Sequence, residues 1–187
     1  MNLVDVAVAT HHLLRGYGLE HGFGGALALN YYADPRATAD VDVNVFVPWD
    51  RGIDHLDLFE EIDFRPAAPV AGAIPVAGIR LRSEASPIKL DVFFSLGEHY
   101  DVVAARLRWF PFGHDGEELP FFSPEDVVAF KVSFNRDKDW VDIRGLLEHE
   151  GPIDLDYVER AVLALRGPRM HPRMARVRAM ARAARDR

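Results

Sequence analysis

Residues 39–47 read Ala39-Asp40-Val41-Asp42-Val43-Asn44-Val45-Phe46-Val47. Val41, Val43, Val45 and Val47 recur at every second position, the period of a β-strand, so the four valines share one face. Asp40 and Asp42 project together from the opposite face. Asp is disfavoured inside strands, and two of them framed by valines ask for more than a half-exposed sheet surface. Residues 88–94 carry a similar pattern: Ile88, Leu90, Val92 and Phe94 form a buried set and leave Lys89, Asp91 and Phe93 opposite. If the two strands are neighbours, Asp91 lies beside Asp40 and Asp42. Three carboxylates on one sheet face repel one another unless a cation sits among them. Mg²⁺ suits such a place, because it takes oxygen ligands and is commonly held by one or two carboxylates together with substrate phosphates.

Upstream of that strand, Gly24-Gly25 precedes a short helix expected over 26–32. Glycines let backbone amides come close to a phosphate, and a helix N-terminus favours an anion. Downstream, Ser123-Pro124-Glu125-Asp126 has the chemistry of a helix start: Ser at the N-cap, Pro at the first helical position and acids in the first turn. It predicts a helix over 124–134, with another over 137–149. Were 131–142 a single helix, Lys131, Asn135, Lys138 and Asp142 would share a stripe able to face a nucleotide. Lys131 sits in an apolar run and is one of three lysines against 19 arginines. A compact ammonium suits a phosphate, so Lys131 or Lys138 is expected to neutralise a triphosphate. Asp139 and Asp142 either touch substrate or orient a nearby Lys or Arg, while Arg136 and Asp137 read as a solvated face. Thr38, two residues before Asp40, reads first as a turn threonine. His11 and His12, adjacent on a helix, diverge too far to chelate one metal together.

The rest of the chain predicts a helix over 2–18, another near 51–62, and an Ala-, Pro- and Gly-rich loop over 66–78 in which base recognition would lie. A hairpin is expected from 79–82 and 88–94, a helix over 100–109, a strand over 119–122, and helices over 154–166 and 169–185. The fold class is α+β: a small mixed or antiparallel sheet flanked by helices over 1–122, followed by a helical region over 123–187.

Composition bounds the function. In 187 residues, 49% are hydrophobic, enough for a packed core. There is no cysteine, which excludes disulfides and thiolate metal sites. Neither a signal peptide nor a membrane-spanning apolar run is visible, so the expectation is a soluble cytoplasmic protein with no membrane partner. Residues 1–165 hold 14 Lys+Arg against 28 Asp+Glu, whereas residues 166–187 hold eight Arg and one Asp. Within that tail Arg169, Arg173 and Arg176 recur at helical spacing opposite Met170, Met174, Val177 and Ala181. Such a helix either docks on the acidic body or grips an RNA backbone.

Taken together, Gly24-Gly25-Ala26-Leu27, then Arg36-x-Thr38-x-Asp40-Val41-Asp42, then a strand bearing Asp91, resemble the polymerase-β-type nucleotidyltransferase superfamily. The segment from Lys131 through Asn135-Arg136-Asp137-Lys138-Asp139-x-x-Asp142 is similar to its AbiEii/MenT toxin branch, and the resemblance spans residues 20–147. It implies transfer of a nucleoside monophosphate from an NTP to a hydroxyl, with Mg²⁺ or Mn²⁺ as cofactor. It further implies an RNA acceptor, the tRNA 3′ end, and a separately encoded antitoxin. Asp40 and Asp42 would hold metal, and Asp91 would complete the triad as ligand or base. Gly24, Gly25, Arg36, Thr38, Lys131, Lys138 and Asp139 would line the nucleotide, with Lys131 and Asp142 among the catalytic set. Where the family often has Ser or Thr after the glycines, this chain has Ala26, which shifts the expected phosphate grip to Arg36 and the lysines. The same chemistry on a small molecule or a protein side chain, or an inert binding homologue, are the alternatives.

Overall fold

The computed structural model describes residues 1–71, 78–149 and 151–186. The chain opens with α1 (Leu3–Gly16), β1 (His21–Phe23), α2 (Gly25–Leu29) and β2 (Asp40–Pro48). It continues through α3 (Trp49–Gly52), a 3₁₀ segment (Ile53–Ile62), β3 (Arg65–Pro66), β4 (Ile79–Ser83) and β5 (Ser86–Ser95). Next come α4 (His99–Ala104), β6 (Arg108–Phe112) and β7 (Glu117–Phe121). The last third is helical: α5 (Pro124–Phe134), α6 (Asp137–His149), α7 (Leu155–Arg166), a 3₁₀ turn (Pro168–Met170) and α8 (His171–Arg185).

The strands form one mixed sheet in the order β3-β4-β5-β2-β1-β7-β6. β2 lies at its centre, parallel to β5 and antiparallel to β1. Val41, Val43 and Val45 of β2 and Leu90, Val92 and Phe94 of β5 are all buried, as their alternation predicts. α1 contacts both strands, bringing Val6, Ala7 and Leu14 into the same core. That core runs on into the helical third, where α5 packs on α7 and α6 on α8. The mixed sheet with its helical C-terminal part is the α+β class expected from the sequence.

Several local expectations need correcting. Residues 53–62 are 3₁₀ rather than α-helical. Ile53, Leu56, Phe59 and Ile62 recur at intervals of three, the period of a 3₁₀-helix, which turns one apolar row inward. The helix expected over 100–109 stops at Ala104, and Arg108–Phe112 instead form the edge strand β6. Pro111 is tolerated there because an edge strand has one side free of ladder bonds. Phe110 stacks on Tyr31 at 4.6 Å, and Phe112 packs on Phe121 at 5.7 Å. β1, only three residues long, had no readable alternation, and α2 ends at Leu29 rather than 32. Of the loop expected over 66–78, residues 72–77 lie outside the described residues. No described helix is long and apolar enough to cross a membrane.

The start of α5 follows its sequence signal. Ser123 Oγ accepts from the Asp126 backbone N–H at 3.2 Å and donates to Asp126 Oδ2 at 2.5 Å. Tyr157 of α7 donates to the other oxygen of Asp126 at 2.5 Å, pinning α7 to the N-terminus of α5.

β1 brings a second buried polar contact. His21 Nδ1 donates to Leu19 O at 2.8 Å, which leaves its Nε2 to accept from His11 Nδ1 at 2.9 Å. Burial pushes the His21 imidazole down to about 4, from 6.5 for a free histidine. As pH falls through 6.5 the unfolded chain takes up a proton that the folded chain refuses until about 4. The stability linked to His21 is therefore complete above pH 6.5 and is lost on acidification, at about 1.4 kcal/mol per pH unit. Urea unfolding at pH 6.5 and 4.5 should show the native protein losing roughly 2–3 kcal/mol more than His21→Asn over that interval.

Candidate active site

Asp42 and Asp91 are direct partners across the parallel β2–β5 ladder, and Asp40 is opposite Lys89. The expectation that the two strands are neighbours thus holds, and alternation sets all three carboxylates on the face away from the valines. Gly25 presses against this cluster with φ +56°, and a Cβ built on it would lie 1.8 Å from Asp42 Oδ2. Only glycine permits both that backbone and that approach. The Gly24 backbone N–H also donates to Asp42 O at 3.0 Å, so the glycine turn is tied to the strand as well as packed on it.

The charges of the three acids are met unequally. Lys89 Nζ lies 3.6 Å from Asp40 Oδ1, which is buried and accepts no hydrogen bond. Arg80, opposite Asp91 on β4, takes both of its oxygens: Nε donates to Oδ1 at 2.7 Å and Nη2 to Oδ2 at 2.6 Å. Asp42 is pushed up to about 6, by burial first and then by the charges of Asp91 and Asp40, against a weaker pull from Lys131 and Arg136. An oxygen-only donor set with a buried, unbonded Asp40 oxygen and a crowded Asp42 fits a hard divalent cation. As the side chains stand, however, no three acidic or histidine side chains among the described residues converge as a metal cage. Asp42 lines a cleft, with Asp40 two residues away on the same strand face, whereas Asp91 is turned onto Arg80.

A cleft opens beside Asp42, lined by Gly24, Gly25, Asn44, Lys131, Arg136 and an aromatic wall of Phe93, Phe122, Phe130 and Phe134. Lys131 belongs to the last turn of α5. The single helix that would put it in line with Asn135, Lys138 and Asp142 does not exist, because Asn135 takes a left-handed conformation (φ 61°) and ends α5. Asn is among the few residues that adopt that conformation readily. α6 then starts in a new direction and leaves Lys138 exposed and away from the cleft.

The same corner brings Lys131 and Asp142 together by another route. Asp142 accepts from Lys131 Nζ at 2.6 Å and, through two parallel bonds of 2.9 Å, from Arg36 Nε and Nη2. Burial pushes the Asp142 carboxyl up, but the bonds from Arg36 and Lys131 outweigh it and hold the group below the usual carboxylate range. Burial pulls the Lys131 ammonium down, opposed chiefly by Asp142. Of the two roles open to Asp142, the geometry fits the one that orients Lys131 and Arg36. Arg36, expected to grip phosphate, spends its fork on Asp142. Asp139 is fully buried and likewise serves a neighbour, accepting from Arg136 Nε at 2.9 Å, Nη2 at 3.0 Å and the backbone N–H at 2.9 Å. This is the reach-back bond of an acid in a helix's first turn. Thr38 Oγ1 bonds both the N–H and the carbonyl of Asp40 at 3.2 Å, the turn role read first.

Two cleft residues escaped the sequence. Arg136 is exposed, as read from the sequence, and the helix break also sets it at the edge of the cleft. Asn44 carries a buried amide nitrogen without a partner and continues the Asp40–Asp42 face, so the signal was the same two-residue alternation. In the tail, Arg173 donates to Val132 O and Ser133 O at 2.9 and 3.1 Å, capping α5, and Arg176 lies 3.9 Å over Trp140. Arg178 pairs with Glu159 and Asp156. Arg169 is exposed.

No protein-family model and no curated protein sequence matches the chain. Solved structures do. The lincosamide antibiotic adenylyltransferase LnuA, lincomycin-bound, aligns with a TM-score of 0.54 at 13% identity over 78% of this chain and 98% of that one. The antibiotic-resistance factor ANT(2'')-Ia aligns at 0.52 and 13% over 100% and 94%, and it has also been solved with adenylyl-2''-tobramycin, at 0.51 and 15% over 94% and 98%. An antigenic nucleotidyltransferase-like protein from Paracoccidioides brasiliensis aligns at 0.51 and 19% over 94% and 91%. Likeness at such low identity speaks to architecture alone: the mixed sheet and its flanking helices are arranged as in these solved structures.

Proposed function

We propose that the chain transfers a nucleoside monophosphate from an NTP to a hydroxyl of a small molecule, using Mg²⁺ or Mn²⁺ held by Asp40 and Asp42. The observation that carries this is Asp42, on the same strand face as Asp40, with the glycine backbone pressed on it and Lys131 in the same cleft. In the reaction the acceptor oxygen bonds to the α-phosphorus, the bond to the β-bridging oxygen breaks, pyrophosphate leaves, and the hydroxyl proton passes to a base. A divalent ion, when bound, neutralises phosphate charge and polarises the α-phosphoryl group. Lys131 donates one of its three N–H groups to Asp142 and has two left for phosphate oxygens. Arg136, steadied by Asp139, adds a second positive charge. The phenylalanine wall offers a flat surface on which a nucleobase can stack, with Asn44 as the group able to read its edge.

The acceptor is assigned from where the tail arginines go. Of Arg169, Arg173 and Arg176, which gave the sequence its reason to expect RNA, Arg173 and Arg176 are engaged in holding α8 on the body and Arg169 is exposed. The solved likenesses LnuA, bound to lincomycin, and ANT(2'')-Ia, bound to an adenylylated tobramycin, carry small molecules. Nothing in the site favours the tRNA acceptor and antitoxin implied by the toxin-branch resemblance.

Incubation with Mg²⁺, each labelled NTP in turn and a panel of hydroxylated small molecules beside total RNA should put label in a small molecule, with none in the Asp42→Asn variant. Label confined to RNA would overturn the acceptor assignment. Asp42→Asn also carries a stability signature. A folded carboxyl near 6 binds a proton the unfolded chain, near 3.8, does not, so the native charge costs stability above pH 6 and the cost fades as pH falls toward 3.8. In EDTA at pH 7.5 the variant should be about 3 kcal/mol more stable than native protein, and the gap should close near pH 4.

Lys131 and Asp142 should separate. Lys131→Met is expected to lower kcat roughly a hundredfold, the scale of losing one oriented cationic donor. Asp142→Ala strips the partner from two cations and should cost about 3–5 kcal/mol in urea unfolding as well as activity.

A further inference from the structure

We propose that Arg80 is a resident cation of the carboxylate cluster, holding Asp91 while no divalent ion is bound and giving it up when one arrives. This rests on the metal-dependent reading above. Asp42 and Asp91 face each other across neighbouring strands, a spacing of about 4.8 Å, so positive charge must come from somewhere. The cluster meets that need in three grades. Asp91 has a two-bond guanidinium fork, Asp40 has an ammonium beyond hydrogen-bond reach, and Asp42 relies on more distant charges.

The fork is built into the sheet rather than borrowed from a loop. Arg80 is the cross-strand partner of Asp91 in the antiparallel β4–β5 ladder, so the two residues are set side by side whenever the hairpin forms. A guanidinium on both oxygens of Asp91 takes up the acceptor sites that a metal shared with Asp42 would need, and two cations on one carboxylate repel. It also turns the carboxylate toward β4, in keeping with the lack of a converged three-acid cage. Release is open to Arg80 and not to Asp91. The arginine side chain is 42% exposed and can swing into water, whereas the aspartate is 14% exposed and anchored mid-strand. Arg80 is thus a positioning residue: it preserves the cluster without metal and makes Asp91 the last carboxylate to engage.

The probe is Mn²⁺, with free ion counted by electron paramagnetic resonance. Arg80→Ala should bind Mn²⁺ about tenfold more tightly than native protein, the size of losing one charge-assisted pair. Mn²⁺ should also raise its melting temperature by more. Arg80→Lys, which keeps the charge and loses the fork, should fall between, and adding Asp91→Asn to Arg80→Ala should erase the gain. In native protein the Arg80 Nε–H resonance should move toward that of a free arginine as Mg²⁺ is added, a readout that survives if Arg80→Ala fails to fold. Native or weaker Mn²⁺ affinity in Arg80→Ala, with binding still abolished by Asp42→Asn, overturns the role of Arg80 and leaves the metal reading standing. An unmoved Nε–H resonance at saturating Mg²⁺ does the same. No Mn²⁺ binding by any variant overturns both.

Discussion

Two carboxylates set opposite each other in a sheet are the constraint around which this molecule is arranged. Asp42 and Asp91 occupy equivalent positions on adjacent parallel strands, and Asp40 lies one step along the same face. Hydrophobic burial on the valine side locks that register, because a shift of one residue would turn the acids into the core and the valines to the cleft. The repulsion is therefore not something the strand can relax by sliding. It is moderated by what surrounds it: Arg80 on Asp91, Lys89 near Asp40, and Lys131 and Arg136 acting at longer range on Asp42.

The helical third supplies those longer-range charges, and its geometry follows from one residue. Asn135 ends α5 in a left-handed conformation, so α6 folds back and carries Asp142 to within 2.6 Å of Lys131. Arg36, just upstream of the aspartate strand, closes on the same carboxylate. One buried acid thus ties the glycine-to-aspartate connection to both helices, and the cation on the cleft wall is held in place by it. Leaving such a carboxylate with two cationic partners is tolerable in a low-dielectric setting, where leaving either cation without it would not be.

Much of this was legible in the residues. The alternation around Asp40 and Asp42, the buried Leu90, Val92 and Phe94 and the helix start at Ser123 each have a local cause and appear as expected, while Ile88 is half-buried. Elements whose cause is not local were misread. β1 is three residues long and exists because β2 and β7 flank it. β6 exists because its phenylalanines find Tyr31 and Phe121. Arg36 and Lys138 were expected at the phosphates from motif position and helical spacing, but neither says whether an arginine is bonded to an aspartate 106 residues away.

The sequence by itself determined the chemistry available: a strand presenting two acids, a third acid on another strand, a glycine pair ahead of them and a lysine in an apolar helix. Periodicity is a short-range property, so it settles which face each side chain takes. Only the tertiary structure decided the partners. It set Asp91 opposite Asp42, placed Arg80 on Asp91, broke the Lys131–Lys138 stripe at Asn135 and sent Arg173, Arg176 and Arg178 onto the body. Those choices depend on which elements meet in space, and the free energy that selects them comes from packing spread over the whole core rather than from any one segment.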